Sequence, residues 1–197
     1  MLVLASASPR RQELLRNAGV AFVVHPTDIP ELPNPGEIPR AFAERLAREK
    51  AETIFRQRPA DLVLGADTVV VVDEQILGKP SDKADAARMI RLLAGRSHLV
   101  ITAVCLMGPE PGTENGQAST AFQDVRSETT LVTMDPLREE EISSYIATSE
   151  PMDKAGAYAI QGKASRWISR IEGDYFNVVG LPVHLVCKML RQHGADG

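Results

Sequence analysis

Residues 62 to 72 read LVLGADTVVVV, and few folds can accommodate such a run. Leu62 to Leu64 and Val69 to Val72 are apolar without alternation and read as buried strand on both sides of GADT. Gly65-Ala66-Asp67-Thr68 inserts an acid and a hydroxyl into that run, which places Asp67 partly buried at a break in the sheet. A carboxylate there needs a cation, a metal or hydrogen bonds. Asp67 is therefore a candidate general base or metal ligand, and the plainer alternative is an Asp that satisfies backbone N–H groups in a turn. Asp73-Glu74 then reads as a hairpin tip, with a return strand ending in Gly78-Lys79-Pro80. In simple register Lys79 comes back level with Asp67, where it is either a point charge for phosphate or an ordinary surface lysine.

The N-terminal stretch LASASPRRQELLRNAG pairs a short strand, Leu2 to Ala5, with a helix. Ser8 suits the N-cap, Pro9 the first helical position and Gly19 the stop, with Leu14, Leu15 and Ala18 on one face. Arg10 and Arg11 fall in the first turn. That end of a helix is already positive, so two cations there oppose local stability. Together with the hydroxyls of Ser6 and Ser8 they make a candidate phosphate site, the alternative being two arginines that reach into solvent.

A second strand is expected over Ala21 to His25. Residues 26 to 39 carry five prolines and read as a semi-rigid loop with Asp28 and Glu31 as its acids. The following helix, from Pro39, lines Ala43, Leu46, Ala47, Ile54 and Phe55 along one stripe, and Lys50 falls on that stripe. Its stem leaves from the buried side, so its ammonium must reach water or an anion. Further on, a helix is expected from Asp82 to Ala94 with Ala87, Ile90, Leu93 and Ala94 inward, then a strand from His98 to Met107. The segment GPEPGTENGQAST, residues 108 to 120, reads as a surface hairpin loop. Extended chain through Met134 leads to a helix capped by Asp135, with Ile142, Tyr145 and Ile146 inward. DKAGAYAIQG reads as a ligand-lining loop in which Gln161 offers donors and acceptors together, as reading a nucleobase edge requires. A strand pair, Trp167 to Ile171 and Tyr175 to Val179, precedes a last helix with Val183, Val186, Cys187 and Leu190 inward.

The chain has 197 residues, 44% hydrophobic and 24% charged, with a net charge of -4. One domain over residues 1–197 with a full core is expected. The mild acidity argues against general nucleic-acid binding and confines any basic site to a local pocket. No apolar run is long enough for a membrane span, and the N-terminus lacks the flanks of a signal peptide, which points to the cytosol. Cys105 and Cys187 lie far apart in apolar stretches and read as free thiols, and the four histidines lack ligand spacing. Neither G-x-x-x-x-G-K-[ST] nor G-x-G-x-x-G occurs, which disfavours a P-loop or dinucleotide fold.

SASPRR, RLAREKA, GADTVV, LGKP, DKAGAYAIQG and GDYFNVVGLP, in this order, resemble the Maf family of nucleoside triphosphate pyrophosphatases over nearly the whole chain. The resemblance implies an α/β fold with a mixed twisted sheet flanked by helices, two lobes around a deep cleft, similar to the inosine triphosphate pyrophosphatases. It implies cleavage between the α and β phosphates, a divalent metal (Mg2+ or Mn2+), frequent homodimers and a nucleotide as partner. Ser6, Arg10, Arg11, Lys50, Asp67, Lys79 and Gln161 match the family's functional residues, and Glu31 is a further metal-site residue beside Asp67. The DKAGAYAIQG form is similar to the branch acting on dTTP and UTP, with Arg10, Thr68 and Gln161 at the positions tied to that choice. Lys50 and Lys79 join Asp67 as the expected catalytic groups. The other class of function open to such a chain is a nucleotide-binding regulator of septum formation whose hydrolysis is incidental.

Overall fold

A computed structural model describes residues 1–110 and 121–195. Its backbone is a mixed sheet in the order β2-β1-β3-β5-β6-β7, with β4 joined to β3 off that path. The elements are β1 (Leu2–Leu4), α1 (Pro9–Asn17), β2 (Val23–Val24), α2 (Pro39–Phe55), β3 (Leu62–Val72) and β4 (Gln75–Leu77). They continue with α3 (Lys83–Leu93), β5 (Arg96–Pro109), β6 (Ala121–Met134), α4 (Glu139–Ala147), β7 (Ile168–Glu172), α5 (Tyr175–Val179) and α6 (Val183–Gln192). Three short 3-10 turns lie between α4 and β7. β1 runs parallel to β2 and β3, whereas β4, β5, β6 and β7 pair with their neighbours antiparallel.

β3 organises the molecule. One edge pairs with β5 from Val63 to Val71 without a register shift. The other edge is shared: β1 takes Leu62 to Leu64 and β4 takes Val70 to Val72, leaving Gly65 to Val69 unpaired on that side. The strand is thus unbroken through Gly65-Ala66-Asp67-Thr68, and the interruption expected there lies in its partner strands instead. Open α/β sheets place ligands where neighbouring strands diverge in this way.

Strand alternation divides the core between the two faces. Val63, Val69, Val71, Ile101, Ala103 and Cys105 pack beneath α2, while Leu64, Ala66, Val70, Val100 and Val104 join the larger core under α1, α3, α4 and α6. Gly65 lets α2 approach. A Cβ built there would stand 2.1 Å from the Ala47 carbonyl oxygen and 2.8 Å from the Ala51 nitrogen. The small residues Ala43, Ala47 and Ala51 on α2 complete this close contact, and they bring Lys50 down onto Asp67 two residues along the strand.

Several expectations need correcting. Tyr175 to Val179 is α5, not a strand, because Asp174 caps Phe176 N–H at 2.7 Å and Gly180, at φ 126°, ends the turn. Asp135 does not cap α4; its N–H donates to the Trp167 carbonyl, and the N-cap is Arg138, three residues later, whose N–H donates to Glu141. The second strand shrinks to Val23–Val24. In α3, Ala86 and Met89 are buried beside Ile90 and Leu93, with Ala87 and Ala94 only half-buried. In α6, Met189 joins Val186 and Leu190, while Val183 and Cys187 are half-buried. On α1, Leu14 and Leu15 are buried but Ala18 is exposed. Most of the expected loop at 108 to 120 lies outside the described residues. No helix among those described is long and apolar enough to cross a membrane.

Candidate active site

A cleft of about 790 Å³ opens along the unpaired edge of β3. Ser6, Arg10, Arg11, Glu31, Lys50, Asp67, Thr68, Lys79 and Gln161 all line it, so residues scattered over 156 positions of sequence meet in one place. Asp67 and Thr68 are consecutive in β3 and leave its two faces, so the cleft has one wall from each side of the sheet.

On the α2 face the site is charged. Lys50 Nζ donates to Asp67 Oδ1 at 2.6 Å and to Glu31 Oε1 at 2.7 Å. Lys79 Nζ, two residues past the end of β4, reaches Glu31 Oε2 at 3.4 Å. Burial raises the Asp67 pKa, and the opposing charges of Lys50 and Arg11 do not cancel that effect. For Glu31 burial also acts upward, but Lys50 and Lys79 together hold it below the usual carboxylate value. Two carboxylates sharing one ammonium therefore differ in proton affinity because Asp67 is nearly sealed and Glu31 is not.

On the opposite face the contacts around Thr68, Arg11 apart, are with neutral groups. Arg11 donates through Nε to the Gly180 carbonyl at 2.8 Å, through Nη1 to Ala66 O at 2.9 Å and Ser6 Oγ at 3.2 Å, and through Nη2 to Thr68 Oγ1 at 3.0 Å. Ala66 O belongs to the open edge of β3, so Arg11 replaces the missing strand neighbour. Burial lowers the Arg11 pKa even though Asp67 and Glu31 pull upward. Arg10, its neighbour, instead crosses the mouth of the cleft to Asp153, with Nη1 to Oδ2 at 2.9 Å and Nη2 to the backbone oxygen at 3.3 Å. Lys154 holds the other carboxylate oxygen, and these two cations keep Asp153 ionised down to about 2 against the upward effect of its burial.

With this geometry established, the chain can be set beside known proteins. A family model described as Maf-like protein matches residues 1–193. The chain belongs to the Maf family. One Maf relative, a dTTP/UTP pyrophosphatase of Koribacter versatilis strain Ellin345, is 54% identical over 193 residues, covering 98% of this chain and 94% of that one. Another dTTP/UTP pyrophosphatase, from Geobacter sulfurreducens strain ATCC 51573, is 52% identical over 194 residues, covering 98% and 97%. The solved structure of the Staphylococcus aureus Ham1 protein matches at a TM-score of 0.50 and 14% identity, covering 98% of both chains, a likeness of fold alone.

The Maf site contains more than the sequence singled out. Thr102 and Asn177, both fully buried, sit behind Thr68, and the fully buried Ala157 (φ 60°) leads into the cleft-lining Tyr158. Tyr158 is held by His98 at 2.7 Å, a buried histidine whose pKa falls to about 4 through burial alone. Asn177 carries a signal, a lone amide between Phe176 and Val178 in an otherwise apolar stretch, but only the helix α5 brings it to its partner. Thr102 carries no such signal, since threonine is common in strands.

Proposed function

We propose that this chain hydrolyses nucleoside triphosphates, dTTP and UTP foremost, between the α and β phosphates, releasing the monophosphate and pyrophosphate. The observation that carries this reading is the charged wall, in which Lys50 gathers Glu31 and Asp67 while Lys79 stands beside Glu31. The names of the relatives, dTTP/UTP pyrophosphatase at about half identity over nearly full length, support the substrate class.

Glu31 and Asp67 converge on one ammonium and offer hard oxygen donors, and no cluster of three such ligands occurs among the described residues. That donor set fits Mg2+ or Mn2+, which Glu31 and Asp67 would hold. When bound, such an ion lowers the pKa of a coordinated water and offsets phosphate charge. Asp67, with its raised pKa, accepts the proton of the attacking water, and Lys50 keeps the carboxylate aimed across the open strand edge. Lys79 and Arg10 meet phosphate oxygens, while Arg11 contributes positive potential from behind Ser6 and Thr68. Thr68 and Gln161 face the base. The family resemblance adds a homodimer, the mild acidity speaks against a nucleic-acid partner, and a cytosolic location away from membranes completes the reading.

A regulator with incidental hydrolysis needs the cations but has no use for a sealed carboxylate of raised proton affinity, so that reading is not favoured. Incubating the protein with Mg2+ or Mn2+ and a panel of dTTP, UTP, CTP, 7-methyl-GTP and purine triphosphates tests the proposal. Monophosphate and pyrophosphate from dTTP and UTP are the expected products. Binding without turnover, or release of orthophosphate and a diphosphate, overturns it.

A further inference from the structure

The neutral wall carries hydrogen bonds whose direction is fixed. Arg11 Nη2 can only donate, so Thr68 Oγ1 accepts at that 3.0 Å contact. At the far end the Asn177 carbonyl can only accept, so Thr102 Oγ1 donates to it at 2.9 Å. Thr68 Oγ1 and Thr102 Oγ1 stand 3.0 Å apart, and with the Thr102 hydrogen already placed, the hydrogen between them belongs to Thr68. Gly180 O, at 3.5 Å from Thr68 Oγ1, stands at the outer limit of a hydrogen bond and already accepts from Arg11 Nε at 2.8 Å, so it is a weak substitute for Thr102 as acceptor. With its hydrogen turned to Thr102 and one lone pair taken by Arg11, the Thr68 hydroxyl, which lines the cleft, keeps one lone pair and no hydrogen for a ligand there.

Asn177 locks this arrangement. Its Oδ1 accepts from Thr102 N–H at 3.1 Å, and its Nδ2 donates to Val100 O at 3.0 Å and Thr130 Oγ1 at 2.9 Å, which fixes the amide orientation. Thr102, Thr130 and Asn177 are all fully buried, so no water competes with these bonds.

We propose that Thr102 is a positioning residue for base selection, holding Thr68 as an obligatory hydrogen-bond acceptor that matches the N3–H donor of uracil and thymine and opposes the N3 lone pair of cytosine. This rests on the nucleotide reading above and supplies its chemical basis on the base side. Gln161 cannot set this polarity, because its amide presents either sense by rotating. A fixed acceptor can, because two facing lone pairs leave both groups unpaired.

The test is the ratio of kcat/KM for UTP over CTP in the wild type, Thr102→Val and Thr102→Ser. Valine preserves shape but removes the acceptor of the Thr68 hydrogen, which can then turn to the cleft. The ratio is expected to fall about tenfold or more in Thr102→Val, chiefly through a gain with CTP, and to recover in Thr102→Ser. A merely structural role would lower both substrates together and leave the ratio unchanged; that result in a folded Thr102→Val overturns the proposal. Should Thr102→Val not fold, Thr68→Val decides: loss of the ratio supports the acceptor role and its retention overturns it. A wild type that hydrolyses UTP and CTP equally also overturns it while leaving the hydrolase reading intact. Absence of turnover and of nucleotide binding by calorimetry with any triphosphate defeats the hydrolase reading itself and the base selection with it.

Discussion

Asp67 and Thr68 are neighbours in one strand, yet the two walls they belong to are built on opposite physical terms. The Asp67 wall joins formal charges: two carboxylates and two ammonium groups within hydrogen-bond reach of one another, open to the cleft through Glu31 and Lys79. The Thr68 wall joins hydroxyls, an amide and backbone carbonyls, and its one charge, Arg11, is bonded only to neutral oxygens. Charge can be rearranged when a polyphosphate and a cation arrive, because ion pairs exchange partners. A closed network of buried neutral hydrogen bonds cannot be rearranged without leaving a group unpaired. The first wall suits chemistry that creates and moves charge, the second suits recognition that must not move.

The largest effect that separates the walls is expected at Asp67. Asp67→Asn keeps the contact shape but removes the base, and kcat should fall about 10³-fold with every triphosphate. Measuring kcat across a nucleotide panel checks this, since an equal loss on all substrates marks a residue of the reaction and not of the base.

Lys50→Met comes next and reads stability. Removing one partner of a buried ion pair costs about 3 kcal/mol, and urea unfolding at pH 8 should show a loss of that order. The unpaired Asp67 then favours its protonated form, so the destabilisation should shrink as pH falls through the raised Asp67 pKa.

The neutral wall predicts a different pH dependence, through His98. In the folded chain its pKa is about 4, against 6.5 for an unperturbed histidine. Between those values the unfolded chain takes up a proton that the folded chain does not, so stability falls as pH drops. The difference corresponds to about 3 kcal/mol, lost progressively between pH 6.5 and 4. His98→Gln should lack this part of the pH dependence, and unfolding curves at several pH values for both proteins check it.

Gly65→Ala sharpens the comparison in another way, because it strikes the charged wall through packing alone. Its Cβ would meet the α2 backbone, and pushing the helix outward carries Lys50 away from Asp67. A loss of about 2 kcal/mol is expected, accompanied by reduced turnover with an unchanged preference among nucleotides.

The charged wall was largely legible in the sequence because charge at an apolar position is conspicuous. Lys50 on the apolar stripe of α2 and Asp67 in a buried strand each required a partner, and they are each other's. The sequence also foretold most helices and the buried strands, whose periodicities are long. What it hid depends on contacts between distant segments. The cleft arises because β1 and β4 share one edge of β3, a fact of pairing that no local pattern states. Arg10 and Arg11 look alike in sequence, but one faces Asp153 at the cleft mouth and the other replaces a strand neighbour. The network behind Thr68 was least legible, since Thr102 and Asn177 meet only when α5 folds as a helix against β5.

The division between the walls is tested most directly by comparing Asp67→Asn with Thr68→Val for pyrophosphate release from UTP and CTP under saturating Mg2+. The expected result is a large and equal loss on both nucleotides for Asp67→Asn, and for Thr68→Val continued turnover with the preference for UTP over CTP reduced. An Asp67→Asn protein that retains full turnover, or a Thr68→Val protein that loses both activities in equal measure while keeping its fold, would contradict it.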